Sequence, residues 1–174
     1  MQTPQRRNLL ILMASTAGVA AASLSGCGFA LRKAPNFAFT TLYSGIAESS
    51  PLGVELRRSL QSTGKVRVIT DARLISQAQV VLDVLQDQRE KVVLSTNASG
   101  QVREFQLKLR FRFRLRTLAG KMLIPDAEIL QQRDISFNES AVLAKEAEEG
   151  LLYRDMQSDV VQQVLRRLAA VTEL

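Results

Sequence analysis

The chain has 174 residues, 46% of them hydrophobic and 23% charged, so it is long and apolar enough for one globular domain with a real core. It contains no histidine and a single cysteine. The commonest general base and metal ligand are therefore missing, and neither a disulfide nor a multi-cysteine metal site can form within the chain. The net charge of +6 favours anionic partners. We expect a binding protein without catalytic residues, metal or cofactor.

The first 26 residues have the plan of a bacterial secretion signal. Arg6 and Arg7 precede an uncharged apolar run over residues 9–22, and small residues then lead to Cys27. The apolar run is too short and wrongly flanked for a membrane-spanning helix. We predict that residues 1–26 form a signal peptide that is removed. The arginine pair leaves open whether export uses the general or the twin-arginine route.

The residues before the cysteine read Leu-Ser-Gly, and with Cys27 they resemble the bacterial lipobox. There the thiol receives a diacylglycerol and the freed amine an acyl chain, so about 0.8 kcal/mol per buried methylene makes attachment effectively permanent. Gly28, in place of aspartate, implies sorting to the outer membrane. We predict a lipid anchor at Cys27 on the periplasmic side, with residues 27–35 as a flexible tether. The alternative is an ordinary cleaved signal followed by a chance cysteine.

Short elements open the mature chain. Alternating apolar residues over 37–41 predict a first strand. Ser50 and Pro51 supply an N-cap and a favoured first helical residue, leucines then recur every four residues, and Gly64 ends the helix. Residues 66–69 predict a second, short strand. Because an exported protein rarely meets nucleic acid, we expect none as a partner.

The strongest pattern is a long hairpin. Residues 79–96 and 101–117 both resemble strands, and residues 97–100 between them have turn composition. In the second strand, apolar residues from Phe105 to Leu115 alternate strictly with polar ones, which predicts one buried face. Either strand could reach on the order of 50 Å, longer than a small domain needs. We therefore expect the hairpin tip to project beyond the core.

A further strand and a long helix complete the pattern. Residues 122–137 predict a strand that Pro125 interrupts early, as at a bulge or an edge. Residues 146–171 carry apolar residues every four positions, which predicts an amphipathic helix laid against the sheet. The order strand, helix, four strands, helix predicts a single α+β domain over residues 36–174. We expect a sandwich of one mixed sheet, with a long central hairpin, and two helices packed on it.

The polar face of the second hairpin strand is cationic. Its members are Lys108, Arg110, Arg112, Arg114 and Arg116. Asp83 would face Arg114 or Arg116 in the two registers that the turn allows. Asp87 would face Arg110 or Arg112. Such cross-strand pairs contribute about 0.2–1 kcal/mol each and leave an excess of positive charge. The pattern predicts either a solvated face or a contact surface for an acidic partner.

Several segments together resemble the LptE family, lipoproteins of the outer-membrane lipopolysaccharide translocon. They are Gly-Cys-Gly-Phe-Ala-Leu-Arg at 26–32, Ser-Gly-Gln-Val-Arg-Glu-Phe-Gln at 99–106, Val-Leu-Ala-Lys-Glu at 142–146 and Leu-Arg-Arg-Leu at 165–168. The resemblance implies a small plug in the lumen of a large β-barrel, LptD, that assists barrel assembly and binds lipopolysaccharide. It implies lipopolysaccharide-binding roles for Lys145 and, at the tip, Arg103. Because barrel interiors are polar, the cationic strand face is the predicted barrel contact.

Two other classes of protein stay open. A different periplasmic lipoprotein, such as a lipid carrier or a barrel-assembly factor, would share the anchor, and a carrier would need a deep apolar cavity. An enzyme using carboxylates alone, for example Asp71 with Glu128, is the remaining alternative. The spacing of the acids, however, forms no recognisable catalytic pair.

Overall fold

The computed structural model describes residues 35–174, which form five β-strands and two α-helices. In chain order they are β1 (Thr41–Ser44), α1 (Pro51–Ser62), β2 (Arg67–Ile69), β3 (Val80–Thr96), β4 (Val102–Thr117), β5 (Met122–Ser136) and α2 (Val142–Ala169). Two 3-10 turns, Ala72–Gln77 and Glu139–Ala141, complete the described elements. Both helices pack into the same hydrophobic core as the sheet, so the predicted α+β class and element order are confirmed.

The strands form one mixed sheet in the order β2-β1-β3-β4-β5. β1 runs parallel to β2 and β3, whereas β3, β4 and β5 are antiparallel. This arrangement gathers the starts of β1, β3 and β5 at one end of the sheet, with the turn at residues 118–121; we call it the base. The turn at residues 97–100, between β3 and β4, lies at the opposite end, which we call the hairpin end.

The first strand starts later than the alternation of residues 37–41 predicted. Phe39 is buried, as the pattern required. The backbone N–H groups of Thr40 and Thr41, however, lie 2.7 and 3.4 Å from the side-chain oxygen of Gln79. Because a side chain accepts these bonds, the ladder begins only at Thr41. Alternation reports burial, and strand pairing needs a neighbouring backbone as well.

The turn of the hairpin has the geometry that its composition predicted. The side-chain oxygen of Asn97 accepts the backbone N–H groups of Ser99 and Gln101 at 3.0 and 2.9 Å. Gly100 has a φ of 81°, a conformation that glycine adopts without steric cost. The second half of β3 is largely exposed, and only its first residues belong to the core. The hairpin end therefore projects beyond the core, as expected.

The core lies between one face of β4 and one face of α2. The buried β4 side chains are Leu107, Leu109, Phe111, Phe113 and Leu115, and those of α2 include Met156, Val160, Val161, Val164 and Leu168. The predicted start of the helix, at residue 146, was four residues late. Asn138 caps the turn Glu139–Ala141 by accepting from the N–H of Ser140, and α2 continues from it at Val142.

A β-bulge at Leu85 changes which side chains of β3 point to each face of the sheet. Asp83 pairs with Arg114 before the bulge, but Asp87 pairs with the core residue Phe111 after it. The prediction that Asp87 meets Arg110 or Arg112 is therefore wrong. One extra residue turns the side chains that follow it, as far as Val93, to the other face of the sheet. The carboxylate of Asp87 instead accepts from the N-cap Ser50 of α1 at 2.6 Å.

Candidate functional site

The bulge directs two cations of β3 towards α2. The guanidinium of Arg89 donates to Gln157 at 2.7 Å and lies 5.2 Å from the centre of the Tyr153 ring. The ammonium of Lys91 lies 2.7 Å from the carboxylate of Glu149 and 4.3 Å from the centre of the Phe105 ring. These contacts attach the projecting half of the hairpin to the helix.

Lys145 lies in the first turn of α2, beside the end of β5. Its ammonium contacts the carboxylate of Glu148 at 2.8 Å and the hydroxyl of Ser136 at 3.0 Å. The side chain is 21% exposed, so its aliphatic stem is covered while its charged end reaches the surface. Lys145 is thus held in place at the hairpin end of the molecule.

A cavity of about 220 Å³ opens between these lysines. Its apolar lining consists of Phe105, Ile135, Phe137 and Val142, and its polar lining includes Lys91, Lys145, Glu146 and Glu149. Phe105 and Phe137 contact edge to face, with ring centres 5.3 Å apart. We call this feature the hairpin cavity.

Arg103 lies next to the hairpin cavity, on the other side of Phe137. The backbone N–H of Phe137 donates to the carbonyl of Arg103 at 2.7 Å, and both residues line a shallow depression at the tip. The fold therefore gathers Arg103 and Lys145, the two predicted lipopolysaccharide contacts, with Lys91 at one end. Sequence reasoning missed Lys91 because the bulge at Leu85 reverses its facing.

The hairpin cavity is chemically suited to an amphiphile. Apolar rings supply a surface for hydrocarbon, and ammonium groups at the rim can bind phosphate or carboxylate. Each lysine already contacts a carboxylate of α2, so an anionic ligand has to compete with Glu148 and Glu149. Within residues 35–174, no three acidic side chains converge closely enough to hold a metal ion.

The opposite face of the sheet carries five of the six cations of β4, those from Lys108 to Arg116. Arg114 and Arg116 each donate to Asp83, at 2.9 and 2.8 Å. Burial opposes the ionisation of Asp83, but the hydrogen bonds from Arg116 and Arg114 outweigh it and hold the pKa of Asp83 below its ordinary value. The predicted partner of Asp83 is confirmed.

The remaining arginines of this face also have acidic partners. Arg110 pairs with Glu128, and Arg112 pairs with Asp126. The carboxylates that share the face with the five cations are Asp83, Glu90, Glu104, Asp126, Glu128 and Asp134. The expected excess of positive charge is therefore absent from this face of the described strands, because β5 supplies acids that the hairpin pattern alone did not reveal. The face is a charge-balanced surface of ion pairs.

The carboxylates of Asp71 and Glu128 do not meet. Asp71 follows the edge strand β2 and caps the turn Ala72–Gln77, accepting from the N–H of Arg73 at 2.9 Å. Glu128 lies on β5, at the opposite edge of the sheet, and pairs with Arg110. The candidate catalytic pair is thus wrong, and each acid has a structural partner.

Comparison with known proteins identifies the family. The model of the LptE family, described as lipopolysaccharide-assembly, matches residues 39–168, which include the whole sheet and nearly all of α2. This chain belongs to the LptE family. The LPS-assembly lipoprotein LptE of Pectobacterium atrosepticum is 27% identical over 162 residues, covering 88% of this chain and 83% of that protein.

Solved structures of lipoproteins share the LptE fold. The uncharacterized lipoprotein B of Nitrosomonas europaea is 34% identical, with a TM-score of 0.70 over 83% of this chain and 92% of that one. The rare lipoprotein B of Shewanella oneidensis is 25% identical, with a TM-score of 0.61 over 75% and 95%. A minor lipoprotein of Acinetobacter baumannii, 18% identical, has the same fold with a TM-score of 0.60 over 78% and 94%.

The LptE match contains most of the candidate residues. Lys145 and all six cations of β4, including Arg103, lie inside residues 39–168. Cys27, the predicted lipidation site, and the signal peptide lie outside the described residues. None of the helices in residues 35–174 is long and apolar enough to cross a membrane.

Proposed function

We propose that this LptE-family chain is a non-enzymatic outer-membrane lipoprotein that binds lipopolysaccharide and plugs an LptD-type β-barrel while assisting its assembly. Residues 1–26 are removed, Cys27 carries the lipids on the periplasmic side, and residues 27–35 tether the domain. The family supports the role in lipopolysaccharide assembly. The barrel, the lipid ligand and the anchor are our extension of it.

The hairpin cavity is the feature that best supports lipopolysaccharide as the ligand. Its rings and its flanking cations Lys91, Lys145 and Arg103 combine an apolar surface with donors for anionic groups, which is the chemistry of a phosphorylated glycolipid. Its volume, about 220 Å³, is below the 300–1,000 Å³ typical of small-molecule pockets. That size favours a plug with a surface site over a carrier that encloses its lipid.

Binding of purified lipopolysaccharide by the full chain in detergent tests the ligand. We expect Lys145→Glu to lower the affinity, because it replaces a rim cation with an anion. Arg58→Glu, on the exposed surface of α1, makes the same change of charge away from the hairpin cavity and should leave the affinity unaltered. Equal affinity of Lys145→Glu and the unaltered chain would remove Lys145 from the site.

The charge-balanced face is the proposed barrel contact. A polar barrel lumen suits a surface of ion pairs, whose arginines can exchange partners with the barrel wall. Arg112→Glu with Arg114→Glu should reduce co-purification with a large outer-membrane barrel after detergent extraction. The fold should survive, because Arg112 and Arg114 lie on the surface and Arg116 still contacts Asp83. Undiminished co-purification of the folded variant would mean that this face is solvated and does not contact the barrel.

A further inference from the structure

The base of the fold has exposed apolar side chains where the described chain begins. Leu118 and Met122 flank the turn between β4 and β5, and they are 45% and 50% exposed. Leu174, 40% exposed, lies beside them, since its main-chain oxygen accepts from the ammonium of Lys121 at 3.1 Å. A groove of about 340 Å³ adjoins this surface between the start of β5 and the end of α2, and its lining is mixed, with Leu123 and Ile124 beside Arg167 and Glu173.

The start of the described chain joins the base directly. The backbone N–H of Thr40 donates to the side-chain oxygen of Gln79. The backbone carbonyl of Gln79 in turn accepts from the N–H of Leu118 at 3.4 Å. The ammonium of Lys65 lies 3.1 Å from the side-chain oxygen of Asn36. The N-terminal segment therefore enters the domain beside the exposed leucine and between two lysines, Lys65 and Lys121.

Chain length places this end near the anchor. Pro35 follows Cys27 by eight positions, and an extended chain covers at most about 3.3–3.6 Å per residue, so the start of the described chain lies within about 30 Å of the anchored residue. The hairpin end is farther by the length of β3, whose 17 residues span on the order of 55 Å. The base is therefore the end of the fold that the anchor holds nearer the membrane.

We propose that the base is a membrane-contact surface, in which Leu118, Met122 and Leu174 enter the lipid interface and Lys65 and Lys121 meet anionic headgroups. The inference rests on the proposed anchor at Cys27. Apolar side chains flanked by lysines are the usual composition of a surface that binds the membrane interface, and each cation near an anionic leaflet contributes about 1 kcal/mol. The surface would fix the orientation of the domain, which the anchor alone leaves free.

Quenching by brominated lipids tests the contact, because the chain contains no tryptophan. The lipidated full chain carrying Met122→Trp is reconstituted into phosphatidylethanolamine–phosphatidylglycerol vesicles with or without bromine on the acyl chains. We expect brominated lipid to reduce its emission. Leu94→Trp, at the exposed hairpin end, is equally tethered and should show no loss. Leu118→Trp, a second reporter at the base, should behave as Met122→Trp does.

Flotation of the same vesicles tests the lipid anchor independently of the proposed membrane contact. Protein that floats but shows equal emission of Met122→Trp in both lipids retains the anchor and overturns the membrane contact. Protein that fails to float overturns the anchor and this proposal together. Emission that changes with protein concentration and not with bromination would assign the surface to a second copy of the chain, which also overturns the proposal.

Discussion

Lys91 and Glu149 form an ion pair, at 2.7 Å, that joins the projecting half of β3 to the second turn of α2. The pair exists because the bulge at Leu85 turns Lys91 to the helical face of the sheet. There the ammonium also lies over the ring of Phe105, at the rim of the hairpin cavity. Lys91 is therefore the third cation of the proposed lipopolysaccharide site.

Lys91→Gln should weaken lipopolysaccharide binding about tenfold, the effect of losing one charge-assisted contact of about 1.4 kcal/mol. The glutamine keeps half of the aliphatic stem but loses the ammonium that lies over the ring of Phe105. Titration of labelled lipopolysaccharide into the full chain measures the change, with Arg58→Gln as the control on α1. An affinity equal to that of the control would place Lys91 outside the site.

Glu149→Gln should have the opposite effect. Because Glu149 occupies the ammonium of Lys91, its neutralisation frees the cation and removes a negative charge from the cavity wall. We expect tighter binding in the same titration, and a larger loss of affinity when Lys91→Gln is added to Glu149→Gln than when it is added to the unaltered chain, because the freed cation contributes more to binding. Weaker binding by Glu149→Gln would mean that the ion pair itself positions the ligand.

Asp83 should make the stability of the domain depend on pH in the acid range. Its pKa is lowered in the folded state, so its contribution is complete above the unfolded pKa of about 3.9 and is lost as the pH falls through the folded value. Asp83→Asn removes one acceptor from two arginines and should cost about 1–3 kcal/mol near neutral pH. Urea unfolding at several pH values measures both, and the difference between the two proteins should shrink as the pH falls. A constant difference would contradict the role of its ionisation.

Arg89 and Gln157 should be energetically coupled. Gln157 is 7% exposed, and its amide donates to the carbonyl of Pro51 and to Glu55 while its oxygen accepts from Arg89. Gln157→Leu leaves these groups without a partner and should lower the free energy of unfolding by about 1–3 kcal/mol. A double-mutant cycle with Arg89→Leu should give a coupling of about 0.5–3 kcal/mol. Strict additivity would show that β3 does not contact α2 through this pair.

Among the elements that sequence alone predicted, β4 and α2 have the longest regular patterns. The alternation from Phe105 to Leu115 determined β4 and its buried face, because one change of phase would expose the whole apolar set. Spacing by four residues likewise identified α2. The bulge at Leu85 could not be predicted, since neither glycine nor proline marks it, and it misdirected the prediction for Asp87. The acids of β5 were missed as partners because their register depends on a second bulge, near Pro125.

The candidate site was likewise predicted only in part from the sequence. Arg103 and Lys145 were reached through short motifs typical of the LptE family, and the fold places them on either side of Phe137. Lys91 carries no such motif, and its facing depends on the bulge. The apolar lining of the hairpin cavity joins residues from β4, β5 and α2, so only the tertiary structure reveals it.

Photocrosslinking in living cells tests the central claim most directly, namely that the hairpin cavity of this LptE-family protein receives lipopolysaccharide. A photoreactive residue replaces Val142, which lines the cavity and is 38% exposed, or Leu151, which is 55% exposed farther along α2. We predict a lipopolysaccharide adduct from position 142 that Lys145→Glu reduces, and none from position 151. No adduct at position 142, or equal adducts at both positions, would contradict the account.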